Sequence, residues 1–141
     1  MFHVKHFKNK QELGRFGEEI AARYLKRKGY KIVEVNFRYK NFGEIDLIVR
    51  KSNKKWLFFK KLGDLVFVEV KTRLKVENSV FRPEHNITKF KQKQLVKLAR
   101  IYLAKHKIFE IPWQIDIITI EIDPLNHKNF DLQHIKKAVF G

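Results

Sequence analysis

Three runs rich in β-branched and aromatic residues, at 30–38, 44–51 and 65–72, follow one another with no helical pattern between them. Such a succession predicts an antiparallel meander, and every other element has to be fitted around that sheet. Ahead of it, Leu13, Phe16, Ile20, Tyr24 and Leu25 recur at helical spacing within residues 11–28, and Gly29 marks a stop. Residues 73–86 carry few periodic apolar residues and contain Pro83, which reads as a loop. A second helix is expected over 88–105, where Leu95, Leu98, Ala99 and Tyr102 share one face while Lys89, Lys93, Lys97 and Arg100 form a basic stripe on another. Pro112 introduces a β-rich segment at 113–122, a turn follows at 123–126, and a weak last strand is expected at 130–135. The predicted order is α-β-β-β-α-β-β: an α/β chain of the α+β kind, with a central mixed sheet flanked by helices.

With 141 residues, the chain fits one domain spanning 1–141. Lys and Arg number 31 against 15 acids, a formal charge of +16, which favours a polyanionic partner such as nucleic acid over an anionic membrane. There is no cysteine, so disulfides and thiolate metal sites are excluded and a cytoplasmic protein is the expectation. Residues 1–10 are basic without the apolar run of a signal peptide, and no stretch approaches the ~18 apolar residues of a membrane span.

Two polar interruptions of the strands carry the chemistry. In 66–72 the side chains alternate, so Val66, Val68 and Val70 point one way while Phe67, Glu69 and Lys71 point the other, which sets Glu69 beside Lys71. In 45–49 Asp46 stands among Ile45, Leu47, Ile48 and Val49, where an unpaired carboxylate costs several kcal/mol, roughly, unless a cation or donors satisfy it. Each signal has a plain alternative, a surface ion pair for Glu69 and Lys71 and a turn-end cap for Asp46. A meander would bring the three groups together at one end of the sheet. Oxygen ligands without cysteine or clustered histidine suit Mg²⁺ or Mn²⁺; His3 and His6 have ligand spacing but lie in a terminal segment where solvated histidines are usual.

The chain resembles the YraN family of bacterial proteins through Gly14-Arg15-Phe16-Gly17-Glu18, Asn36-Phe37-Arg38, Gly43-Glu44-Ile45-Asp46-Leu47-Ile48 and Phe67-Val68-Glu69-Val70-Lys71-Thr72-Arg73. The likeness continues through Lys91-Gln92, Tyr102-Leu103 and Asp116. That family's pattern is similar to the PD-(D/E)XK nucleases, most closely the archaeal Holliday-junction resolvases, with Ile45 standing where the name has Pro. The resemblance implies a restriction-endonuclease-like fold and metal ligation by Asp46 and Glu69, with Glu18 reaching in from the first helix. It further implies Lys71 as catalytic lysine and Gln92 as a water or phosphate binder. Gly14, one turn before Glu18, is expected to let a backbone or ligand approach that face closely. Arg15, Arg38, Arg73, Lys89, Lys91, Lys93 and Lys97 are the expected nucleic-acid contacts. Two departures are visible: the connection at 52–64 is longer than is usual in the family, and Lys89 replaces a common proline. The added basic and aromatic residues of 52–64 are open to three readings: base stacking, a dimer contact or a lengthened hairpin.

The leading functional expectation is a metal-dependent endonuclease acting on branched or otherwise structured DNA, as a homodimer by the resolvase analogy. The alternative is a catalytically inactive nucleic-acid-binding protein of the same fold; a protein interaction module ranks last because Asp46, Glu69 and Lys71 occur together.

Overall fold

A computed structural model describes residues 6–51, 63–77 and 87–140. The basic and aromatic stretch 52–62, Pro83 with the loop around it, and His3 lie outside the described residues. Helix α1 (Lys10–Arg27) begins where the Asn9 side chain accepts the Glu12 N–H at 2.9 Å, and it ends two residues before Gly29, whose φ of +94° turns the chain away. Strands β1 (Tyr30–Arg38), β2 (Glu44–Lys51) and β3 (Leu65–Leu74) follow, then helix α2 (Lys89–Lys105), β4 (Trp113–Ile122) and β5 (Phe130–Val139). Thr88 caps α2, accepting the Lys91 N–H at 3.1 Å.

The five strands form one sheet in sequence order, and β1, β2 and β3 are the antiparallel meander the sequence predicts. β4 lies parallel to β3, a pairing that requires a crossover, and α2 lies within it. β5 then returns antiparallel to β4. Two expectations fall short at the ends. β3 runs to Leu74 because β4 pairs with it that far, and β5 runs past residue 135 to Val139. Between Ile135 and Val139 of β5, which pair with Ile117 and Ile115 of β4, a register shift leaves the Lys137 N–H off the ladder, where Asp116 Oδ1 accepts it at 2.9 Å. A side chain of another strand supplies that partner, so local pattern could not announce the extension.

Both faces of the sheet are covered. Ile20, Ala21 and Leu25 of α1 pack on Leu47, Val49, Val66, Val68, Ile118 and Ile120. On the other face, Leu95, Leu98, Ala99 and Tyr102 of α2 pack on Ile45, Ile48, Phe67, Ile115 and Ile117. The division of β3 follows the alternation in the sequence, Val66 and Val68 toward α1 and Phe67 toward α2. Among the described residues, no helix is long and apolar enough to cross a membrane.

Candidate active site

The β2–β3 ladder runs from Arg50↔Leu65 to Leu47↔Val68 and stops, while β3 continues along β4. In the opening, Asp46 Oδ2 accepts the Val70 N–H at 2.8 Å, taking the place of a strand carbonyl. This is one of the donors that a carboxylate among apolar neighbours was expected to need. Glu69 is the next residue along β3 beyond the last position paired with β2, and the Asp46 carboxyl beside it raises its pKa.

The site draws on both helices. Gly17 of α1 is buried against Thr72 of β3, and a Cβ at Gly17 would sit 1.7 Å from Thr72 Oγ1. That close approach sets the neighbouring Glu18 over the sheet, where one oxygen each from Glu18, Glu44 and Asp46 lie within 4.8 Å of one another. Gly14, by contrast, faces open space, so the close approach occurs at Gly17 instead. Asn36, at φ +53° on the adjacent strand, joins the group: its amide, turned to donate, lies 2.8 Å from Glu44 Oε1 and 3.3 Å from Glu18 Oε2. From the opposite face, α2 brings Lys91 Nζ to 3.8 Å from Glu69 Oε1, the same separation as Lys71 Nζ.

Electrostatically the site is short of positive charge. Burial, then Asp46 and Glu44, push the Glu18 pKa up to about 7, with Arg15 pulling weakly the other way. Burial is also the largest influence on Asp46, raising it; the Val70 amide opposes, Glu44 adds to the rise, and Lys91 and Lys71 oppose. Glu69 is raised by burial and by Asp46, against Lys91 and Lys71. Its side chain is 6% exposed, yet Oε2 has no hydrogen-bond partner. A buried carboxylate oxygen left alone is costly.

The donor set fits a hard divalent cation. The atoms that Glu18, Glu44 and Asp46 bring together are all carboxylate oxygens, and these carboxyls repel one another in the protein alone; Glu69, expected as a ligand, stands outside that group of three, next to Asp46, with its orphaned oxygen keeping a lone pair to give.

A sequence model of the uncharacterised protein family UPF0102 matches residues 17–120. The chain belongs to this family. A UPF0102 protein of Caldanaerobacter subterraneus subsp. tengcongensis is 38% identical over 130 residues, covering 92% of this chain and 96% of its own. One from Thermodesulfovibrio yellowstonii is 40% identical over 129 residues (92% and 96%), and one from Clostridium botulinum 38% over 134 residues (94% and 97%). The UPF0102 match begins at the glycine that docks α1 and includes Glu18, Asp46, Glu69, Lys71 and Gln92.

Other residues singled out in this UPF0102 chain have varied surroundings. Gln92 donates to the Ile87 carbonyl at 3.2 Å, which ties down the start of α2. Arg73 engages Glu121 through Nε (2.9 Å) and Nη2 (2.7 Å), and Arg38 pairs with Glu44, leaving both guanidinium groups occupied. Lys89, Lys93 and Lys97 are exposed along α2, with Lys97 Nζ 3.6 Å from the centre of the Phe42 ring. Lys91 leaves that stripe for Glu69, and Arg15 is exposed beside Glu18. Sequence reasoning gave Glu44 no role, although its position two residues before Asp46 on one strand puts both on the same face. The approach of Lys91 to Glu69 had no such local signal, because it depends on how α2 docks.

Proposed function

We propose that this protein is a metal-dependent endonuclease that hydrolyses phosphodiester bonds, with Asp46, Glu69 and Glu18 holding Mg²⁺ or Mn²⁺ and Glu44 supporting them. The observation that carries this reading is the partnerless, buried Glu69 Oε2 beside a second carboxyl and two ammonium groups. A bound magnesium ion supplies polarisation of a phosphate oxygen and a more acidic water. The chain's own residues do the rest. Val70 fixes Asp46 through its N–H, Gly17 lets Glu18 come near, and Lys71, the more exposed of the two lysines on Glu69, orients the attacking water. Lys91 holds the Glu69 carboxylate from the other side, a positioning role.

Likeness to the PD-(D/E)XK nucleases and junction resolvases makes branched DNA, bound by a homodimer, the substrate reading. The exposed Lys89, Lys93, Lys97 and Arg100 on α2 support phosphate contacts. That stripe also favours a second reading, a nucleic-acid-binding protein without turnover, because its charge is independent of the carboxylates.

Four-way junction, flap, single-stranded and linear duplex DNA incubated with Mg²⁺, Mn²⁺ or EDTA decide between the two. Wild type is expected to cut in either metal and not in EDTA, while Asp46→Ala and Lys71→Ala lose on the order of 10²–10³-fold in rate and keep salt-dependent binding. Cleavage indifferent to both substitutions overturns the assigned site. Binding without cleavage by wild type in either metal establishes the second reading.

A further inference from the structure

Tyr24 lies six residues beyond Glu18 on α1, about 9 Å of helical rise away. Here the helix overhangs a cavity of about 450 Å³ lined by Tyr24, Lys28, Tyr30, Lys51, His134 and Lys136. Its described residues supply three ammonium groups, two phenols and an imidazole, and no carboxylate is among these described residues. Their placement is built from below. The His134 side chain is only 5% exposed; its Nε2 is 2.7 Å from Oδ2 of the fully buried Asp116, and its Nδ1 is 3.0 Å from the Tyr24 hydroxyl. Lys51 Nζ donates to Gln114 Oε1 at 3.1 Å, and Gln114 donates to Asp116 Oδ1 at 2.8 Å. One buried carboxylate thereby orients an imidazole, a phenol and an ammonium group from a single point beneath the cavity. Burial, then Asp116, hold the pKa values of Tyr24 and Tyr30 above the ordinary range, so both phenols stay protonated and uncharged beside an incoming anion.

We propose that this cavity binds the dianionic phosphate of a phosphate monoester, whether free phosphate or mononucleotide, or the 5′-terminal phosphate of a nucleic-acid strand. A terminal phosphate carries close to two negative charges and three open acceptor oxygens, which matches a concave site with three cations and the Tyr30 hydroxyl. An internal diester offers one charge and must thread the chain through in both directions. The cavity is within the size range of small-ligand sites. This inference is independent of the acidic centre, and its test is run in EDTA, so its failure leaves the endonuclease reading intact.

The imidazole resonances of His134 and the ring resonances of Tyr24 are followed by NMR in EDTA at low salt. Inorganic phosphate, a nucleoside 5′-monophosphate, and one oligonucleotide with and without a 5′-phosphate are titrated in turn. The expected result is a saturable shift of both residues, with Lys28→Gln/Lys136→Gln weakening it about tenfold and the exposed pair Lys107→Gln/Lys128→Gln changing it less than about twofold. Saturation by free phosphate or mononucleotide assigns the free ligand, and saturation only by the 5′-phosphorylated strand assigns the strand end. The proposal is overturned if none of the four produces a saturable shift, if the two oligonucleotides bind alike while neither free phosphate nor the mononucleotide binds, or if Lys28→Gln/Lys136→Gln binds like wild type.

Discussion

Asp46 and Glu69 on one side, and Asp116 on the other, are carboxylates on neighbouring strands of one sheet, yet they reach opposite electrostatic outcomes. Asp116 has no exposed surface, and burial alone would push its pKa up. His134, the Lys137 amide and Gln114 outweigh that and hold it below the ordinary range. Asp46 has the Val70 amide, and Glu69 has two lysines at 3.8 Å with one oxygen left alone, so burial and a neighbouring carboxylate, Glu44 for Asp46 and Asp46 for Glu69, win. Burial pushes all three carboxylates upward, and the number of donors decides which is a structural anchor and which is a place for a cation.

The sharpest break of that comparison is removal of each acid in turn. Asp116→Ala is expected to destabilise the protein by about 3–5 kcal/mol, because it leaves His134, Gln114 and the Lys137 N–H without their shared acceptor. In EDTA, Asp46→Asn is expected to change stability by less than about 1 kcal/mol or to raise it, since the amide oxygen still accepts from Val70 while the repulsion disappears. Urea unfolding of both variants measures the difference, and equal losses would erase the distinction.

Next in size is the glycine that joins α1 to the acidic centre. At Gly17→Ala the new methyl meets Thr72 Oγ1 at 1.7 Å and Thr72 Cβ at 2.7 Å, so the helix has to shift. A loss of about 1–3 kcal/mol is expected, together with weaker Mg²⁺ binding by calorimetry because Glu18 moves with the helix. Gly14→Ala, in open space, is the control that keeps both.

How much of this was legible beforehand follows from where each contact originates. Asp46 and Glu69 stood out because strand alternation exposes a polar residue against apolar neighbours, and the meander that brings them together is a local consequence of three successive strands. Glu44 was equally visible in that pattern but had no rule to single it out. The Asp116 network was not legible, since Tyr24, Gln114, Asp116 and His134 meet only through the docking of α1 and the register shift in β5. Lys91 escaped for the same reason: residues on a basic stripe look alike until the helix is seated.

A smaller effect tests the chain of bonds on the Asp116 side. Tyr24→Phe removes the hydroxyl from His134 Nδ1 and leaves the rings packed edge to face, with centroids 5.5 Å apart. The expected cost is about 0.5–1.5 kcal/mol by thermal or urea unfolding.

The smallest effect separates the two regions by the sign of their pH dependence. Glu18 titrates at 4.5 when unfolded and at about 7 in the fold, so between those values the native state holds the extra proton. Its contribution to stability is therefore complete below about 4.5 and lost as pH rises through 7. The raised Asp46 and Glu69 act in the same direction. Asp116, with its pKa lowered, contributes above its ordinary value of 3.8 and loses that contribution only in stronger acid. Because Glu18 is only half-buried, water screens its share to below about 1 kcal/mol. In EDTA the melting temperature should decline from pH 4.5 to above 7, slightly more shallowly in Glu18→Gln, and Mg²⁺ should stabilise progressively as pH rises because the cation competes with protons for the same oxygens. A melting temperature that rises over that range in EDTA would mean that the carboxylates of the acidic centre are as well satisfied as Asp116.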